Sequence, residues 1–436
     1  MDEGDEPLGI EIDRSEGFGE RLLGLLLDRA HELPPHLVAP LVAEEITHMG
    51  GRDVAILLQD YEQLALVPLP GRRLVAAAPQ PIDGTPAGRA FLDAKVVEVP
   101  QPDGVRIYLP LLEGTDQVGV MAVTWDRVDD NDRRLLRRLA GLVADILVTK
   151  NSYTDIFTLA RRRAPMSVAS EIQWSLLPPL RMSVPQVELA GVLEPAYEVA
   201  GDSFDYALND DVLHLAVIDA MGHGLDAAVM ATAAIGAYRH ARRAFVGLAE
   251  IYGYMDTVIA EQFSPEQFVT AQMMRLNVTT GRLDWVNAGH PPPLLIRDGA
   301  VVRQLTVETT LPVGFGGHDP VVTTLTLRPG DRLLCFTDGL IEEHSAGGDE
   351  FGLDQLIDNV FEVEQRRHGV RTTVRELSQA LKRARGGITS DDATILLVEW
   401  RGGSTDHLAK MEPAAARPAK RTTQASKRPQ RRPTGP

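Results

Sequence analysis

Three apolar runs in the C-terminal half of the chain share one grammar: each carries an acid at one end. VLHLAVIDA (212–220) closes on Asp219, DRLLCFTDGL (331–340) on Asp338, and ATILLVEW (393–400) is introduced by Asp391 and Asp392. A carboxylate at the mouth of a buried strand costs roughly several kcal/mol unless a partner offsets its desolvation. A fourth acid joins the set. EVAGDSFDYAL (198–208) and 212–220 flank the turn residues Asn209, Asp210 and Asp211, so they read as a hairpin, with Asp202 brought close to Asp219. Carboxylates gathered in a low dielectric repel one another, and a divalent cation resolves the conflict. The ligands on offer are hard oxygens. Cys335 is the one cysteine, and the histidines are not paired. That chemistry points to Mg2+ or Mn2+ rather than Zn2+.

The bulk properties bound the alternatives. A chain of 436 residues has room for two or three domains. The formal net charge of −17 argues against nucleic acid as a partner, because a phosphate-binding face needs clustered cations. The start, MDEGDEPLGIEID, is acidic and lacks the apolar core of a signal peptide. No apolar run approaches the roughly 18–20 residues of a membrane-spanning helix. A single cysteine excludes disulfides within the chain. The expectation is a cytoplasmic protein that engages neither membrane nor nucleic acid.

Composition marks five segments. Residues 1–17 form a mobile acidic leader. Residues 18–150 read as one α/β module: helical spacing over 19–50, β runs at 54–59, 63–69 and 72–78, a helix near 86–94, β runs at 106–112 and 117–125, and a long helix from about 130. IDGTPAGRAF (82–91) and the pair IYLPLLEG and QVGVMAVTW resemble the GAF family of sensor domains. That resemblance implies a small-molecule ligand of open identity; no cysteine is present here to tether a tetrapyrrole. Residues 151–182 form a helical linker. Its first helix runs on toward Arg161–Arg163 and meets Pro165; a second, SVASEIQWSLLPP (167–179), sets Val168, Ile172 and Leu176 four apart on one face. The linker is read as passing the state of the sensor onward, through a homodimer. Residues 401–436 carry nine Lys/Arg against Asp406 and Glu412, with five prolines, and read as a disordered basic tail.

The third segment, 183–400, holds the chemistry. AGDSFD, D-x-x-G-H-G, NAGHPPPLLI (287–296), LPVGF (311–315), FTDGLIE and DDAT occur in that order. Together they resemble the SpoIIE-type bacterial branch of the metal-dependent (PPM, type 2C) serine/threonine protein phosphatases. The resemblance implies an α-β-β-α sandwich with two ions about 3.5–4 Å apart at one end of the strands. It implies that Asp219 bridges the ions, that the Ala220 carbonyl completes one of them, and that Asp202 supports that ion's ligands. Asp338 and Asp391 would hold the other ion, with Asp392 the competing ligand. Relatives in higher organisms have a histidine two residues after the bridging acid; Met221 stands there in this chain. His223 is either a proton donor or a turn residue. His290 is read chiefly as fixing a loop, Asp205 as a supporting acid or a surface residue, and Cys335 as inert core.

The fold class expected is therefore α+β: an α-β-β-α sandwich preceded by an α/β GAF-like domain and a helical linker. The function implied is dephosphorylation of a regulatory phosphoprotein, an anti-anti-sigma (STAS) factor by family analogy. The alternative is a catalytically silent module that binds signalling partners.

Overall fold

In the computed structural model, residues 16–114, 116–197, 201–308, 310–317, 319–341, 352–384 and 392–403 are described. Residues 1–15 of the acidic leader, the basic tail beyond residue 403, Ala200 and Asp391 lie outside the described residues. The helical spacing of 19–50 resolves into α1 (Glu16–Glu32) and α2 (Val38–His48), separated where Pro34 and Pro35 interrupt the ladder. Six strands follow around one helix: β1 (Arg52–Gln59), β2 (Ala65–Pro68), β3 (Gln80–Pro81), α3 (Pro86–Asp93), β4 (Val97–Gln101), β5 (Gly104–Glu113) and β6 (Asp116–Trp125). They form an antiparallel sheet in the order β3-β2-β1-β6-β5-β4.

The expected strand at 72–78 is not one. The segment is largely exposed, Arg73 has φ 66, and one backbone bond, Val75 N–H to the Val54 carbonyl, ties it to the sheet. Its apolar residues are mostly alanines, which offer little surface to bury. At the start of α3 the Thr85 hydroxyl accepts from the Gly88 N–H. A Cβ on Gly88 would stand 1.6 Å from the Ile82 carbonyl oxygen, so only glycine fits there.

The long helix α4 (Asp130–Asn151) starts where the helix from about 130 was expected, with Asp129 as its cap. The Asp129 and Asp132 carboxylates each accept the other's backbone N–H, a capping box of about 1 kcal/mol. It does not run on to Arg161. The helix ends at Asn151, and α5 (Ile156–Arg161) begins after a turn. Then α6 (Val168–Leu176) follows, its first turn satisfied by the Ser167 hydroxyl accepting from Ser170 N–H. Val168 is exposed, while Ile172 and Leu176 pack partly buried against separate clusters, so the three do not share one buried face.

The remaining chain builds two sheets. In order come β7 (Arg181–Val184), β8 (Val187–Glu194), β9 (Asp202–Asn209), β10 (Val212–Ala220), α7 (Gly224–Arg243), α8 (Leu248–Gln262), β11 (Val269–Asn277), β12 (Arg282–Ala288), β13 (Leu294–Arg297), β14 (Ala300–Gln304), β15 (Thr323–Thr326), β16 (Asp331–Phe336), α9 (Leu353–Glu364), α10 (Val370–Ala384) and β17 (Ala393–Trp400). One sheet has the order β15-β12-β11-β10-β9, the other β14-β13-β16-β17-β8-β7. Alternation assigns the faces. Leu213, Leu215 and Val217 of β10 meet Leu333 and Cys335 of β16 in the layer between the sheets, whereas Ala216 and Ile218 turn toward α7 and α8. Leu334, Phe336, Ile395 and Leu397 turn the other way, onto α9 and α10. Each large apolar side chain fully buried in these layers contributes about 1.5–3 kcal/mol. The architecture is α-β-β-α. Strands β7 and β8 were not expected from the sequence. Cys335 is buried, and the lack of solvation pushes its thiol up to about 12, as expected of an inert core residue.

The N-terminal sheet meets the sandwich along α10. Arg375 makes a bidentate pair with Asp83, at 3.2 and 2.8 Å, and Arg371 donates to the Gln117 side-chain oxygen at 2.9 Å. The Trp174 ring of α6 packs edge-on to Tyr61, centroids 4.8 Å apart.

Candidate active site

The hairpin of β9 and β10 has the register the sequence suggested: Asp202 lies directly opposite Asp219. Directly opposed residues project from the same face of a sheet. That face is the one carrying Phe204, Val217 and Leu215 into the inter-sheet layer, so both acids stand at the mouth of the core. Thr270 of β11 is opposite Asp219 on its other side. A polar strip thus crosses three strands at the sandwich rim.

The facing sheet contributes from above. The Thr337 hydroxyl, at the end of β16, donates to the Asp202 carboxylate at 2.6 Å and accepts from the Thr394 N–H at 2.9 Å. The Asp392 carboxylate accepts from the backbone N–H of Gly201 and, at 3.2 Å, from that of Asp202. Asp392 therefore clamps the start of β9, a task that commits one of its oxygens to the backbone. Asp338 follows Thr337 in a short 3-10 turn, Asp338–Leu340, and is half-buried at the same rim.

Asp202 is 1% exposed. Burial drives its pKa well above the ordinary carboxylate value, the negative charges of Asp219 and Asp392 push it further, and the hydroxyls of Thr337 and Thr394 pull it part of the way back. Such mutual repulsion among hard oxygen donors fits a cation in charge and in chemistry. Among the described residues no three acids, histidines or cysteines already stand in ligating geometry. Asp391, the further acid expected here, lies outside the described residues.

The loop after Asp219 is built to turn tightly. Gly222 has φ 96 and Gly224 φ 73, values that side-chain-bearing residues rarely adopt. Between them His223 is exposed and occupies the N-cap position of α7 in extended conformation, with no side-chain cap bond. Ala220 is buried; its N–H donates to the Gly201 carbonyl at 3.1 Å. Behind the loop, Ala227 and Ala228 are buried, so α7 packs closely.

His290 is placed near this strip. Its Nδ1 shares a 2.8 Å hydrogen bond with the Thr270 hydroxyl, its N–H donates to Asn287 Oδ1, and Asn287 Nδ2 donates to its carbonyl. These bonds fix the AGHPPP loop. Burial lowers the pKa of His290 to about 3, so the ring is neutral in the fold. The unfolded ring titrates near 6.5, and its protonation stabilises the unfolded chain below that pH. Stability from the neutral buried ring is thus fully present above about 6.5 and is lost as pH falls from there toward the folded value. At pH 5.5 the loss is about 1.4 kcal/mol. Urea midpoints at pH 7.5 and 5.5 check this: His290→Asn should flatten the pH dependence by that amount.

Asp205 belongs to neither of the roles suggested by the sequence. It is buried at 1% exposure and is held by Arg239 and Arg242, both at 2.7 Å, on the side of the sheet facing α7. Other residues at the rim were not foreseen. Thr337 could have been read from its place before Asp338. Gln173 could not: it lies on α6, far off in sequence, and donates to the Asp202 carbonyl at 2.8 Å.

Comparison with known proteins agrees with this arrangement of motifs. Residues 209–401 match the family described as stage II sporulation protein E, SpoIIE. The chain is similar to the protein IcfG of Synechocystis sp., 22% identical over 269 residues, which cover 54% of this chain and 41% of that protein. It is also similar to the phosphoserine phosphatase RsbP of Bacillus subtilis, 26% identical over 165 residues, 36% of this chain and 40% of that protein. Among solved structures, the RsbU and RsbW domains of Rv1364c from Mycobacterium tuberculosis align with a TM-score of 0.44 at 29% identity, over 51% of this chain and 62% of that one. The matches thus span about 40% of the length of the two curated relatives. Over residues 209–401 this chain is thus similar to the SpoIIE family.

Proposed function

We propose that this chain is a divalent-metal-dependent phosphoserine/phosphothreonine protein phosphatase. The observation that carries the reading is the register of Asp202 against Asp219, with Asp392 and Asp338 brought to the same rim from the facing sheet. Two Mn2+ or Mg2+ ions bound there would activate water and neutralise phosphoryl oxygens. Asp219 and the Ala220 carbonyl, Asp338 and Asp391 are proposed as their ligands, with Asp202 supporting the set. The commitment of Asp392 to two backbone amides favours Asp391 over it as a ligand. Thr337 holds the Asp202 carboxylate in place, and Gln173 holds its backbone. His223, exposed four positions after Asp219, would give a proton to a departing serine or threonine oxygen.

The substrate proposed is a phosphorylated anti-anti-sigma (STAS) protein, a reading supported by the likeness to a phosphoserine phosphatase. The N-terminal unit is proposed to act as a GAF-type input. Among the described residues no helix is long and apolar enough to cross a membrane. Incubating the full chain with a serine-phosphorylated STAS protein and Mn2+ should release phosphate, and chelation should stop it. No release with or without metal would overturn the assignment.

A further inference from the structure

We propose that the cleft between the N-terminal unit and the sandwich binds a small organic acid with a flat apolar body. The cleft has a volume of about 600 Å³, within the roughly 300–1,000 Å³ of ligand cavities, and lies at a junction of units, where such sites concentrate. It is separate from the acidic rim and independent of the phosphatase reading. Its walls carry four arginines, Arg161, Arg181, Arg371 and Arg375, against two acids, Asp155 and Glu171. Asp83 and Glu188 hold Arg375 and Arg181, and Arg162 takes Glu171.

Arg161 and Arg371 are posed differently. Each guanidinium lies over an aromatic ring: Arg161 is 4.4 Å from the centroid of Tyr61, and Arg371 is 3.7 Å from that of Phe91. Both also converge on Gln59, Arg161 donating to its carbonyl at 2.7 Å and Arg371 to its side-chain oxygen at 3.4 Å. Stacking on the ring and the bonds to Gln59 hold each guanidinium flat and in a fixed place on the cleft wall. Two guanidinium groups converging on one residue make a positive patch that an acid group would complement. The apolar part of the lining, with Trp174 and the Leu177-Pro178-Pro179 turn, suits a flat ring system. Since Trp174 sits on α6, whose neighbour Gln173 touches Asp202, a ligand here would contact the helix that also reaches the acidic rim.

The test uses two dyes with the same kind of body. 8-Anilinonaphthalene-1-sulfonate carries an acid group; N-phenyl-1-naphthylamine does not. The sulfonate dye should bind the full-length protein at one equivalent and draw energy from Trp174, among the four tryptophans, so that the transfer falls in Trp174→Phe. Arg161→Gln should weaken it at least about tenfold, about 1.4 kcal/mol, while Arg161→Lys recovers part of the loss and the neutral dye binds all three alike. Thr158→Trp, which fills the cleft, should exclude both dyes. Equal sulfonate affinity in wild type and Arg161→Gln, equal weakening of the neutral dye, or no saturable binding would each overturn the proposal.

Discussion

Asp219→Asn should abolish phosphate release, by on the order of a thousandfold or more, equivalent to about 4 kcal/mol of barrier. In the proposed site Asp219 would serve as ligand to both ions, so its loss would remove the bridge and not merely one ligand. Asp338→Asn and Asp391→Asn should each weaken one ion, and high Mn2+ should restore part of their activity. Mass action can refill a weakened site but cannot rebuild a missing bridge. The competing account treats these aspartates as turn-formers. It predicts the opposite pattern: lower melting temperatures for every variant, with metal changing nothing. Repulsion at the rim predicts variants that stay folded, and gain stability without metal as one charge is removed. Melting curves with and without Mn2+, run beside phosphate release, separate the two. A wild-type protein that neither melts higher with Mn2+ nor hydrolyses phosphoserine would sink the catalytic assignment.

The sandwich was legible because its signals are local. Apolar runs of period two, a turn at 209–211 and acids at strand ends imply the hairpin, and the register of Asp202 with Asp219 follows. The covering helices announced themselves by the spacing of their apolar residues. What stayed hidden depends on packing between distant segments. Strand β8 is buried along its whole length, and so lacks the alternation that marks a half-exposed strand. The run at 72–78 looks like a strand but has little apolar surface to bury, and the sheet does not hold it. Asp205 was ambiguous because its partners Arg239 and Arg242 lie on a helix more than thirty positions on. Gln173 carried no signal at all; nothing in IQWSLLPP says that its amide ends on the carbonyl of Asp202.

That contact makes α6 the place where the input would be read. Gln173 is 3% exposed and reaches the sandwich rim, while the next residue, Trp174, faces Tyr61 of the N-terminal unit and donates from its ring N–H to the Ala196 carbonyl at 2.9 Å. Ile172 packs beside Ala169 and Ala228, near the start of α7 and the Gly-His-Gly turn. A shift of the N-terminal unit that moves Trp174 must therefore move Gln173 or break its bond. Gln173→Leu removes the donor and leaves the Asp202 carbonyl buried without it, a cost of about 1–3 kcal/mol. Placed on the position of Asp202, that cost should lower turnover by roughly 5–150-fold. Removing residues 1–160, or changing Ile172 or Leu176 to a charged residue, should also alter turnover while the Mn2+ concentration for half-maximal activity stays close to wild type. Substitution far from α6, such as Arg282→Ala on the exposed end of β12, should do neither. Equal turnover in the full chain, the truncated chain and Gln173→Leu would show that α6 is only a tether, and that the two units share a chain without sharing a signal.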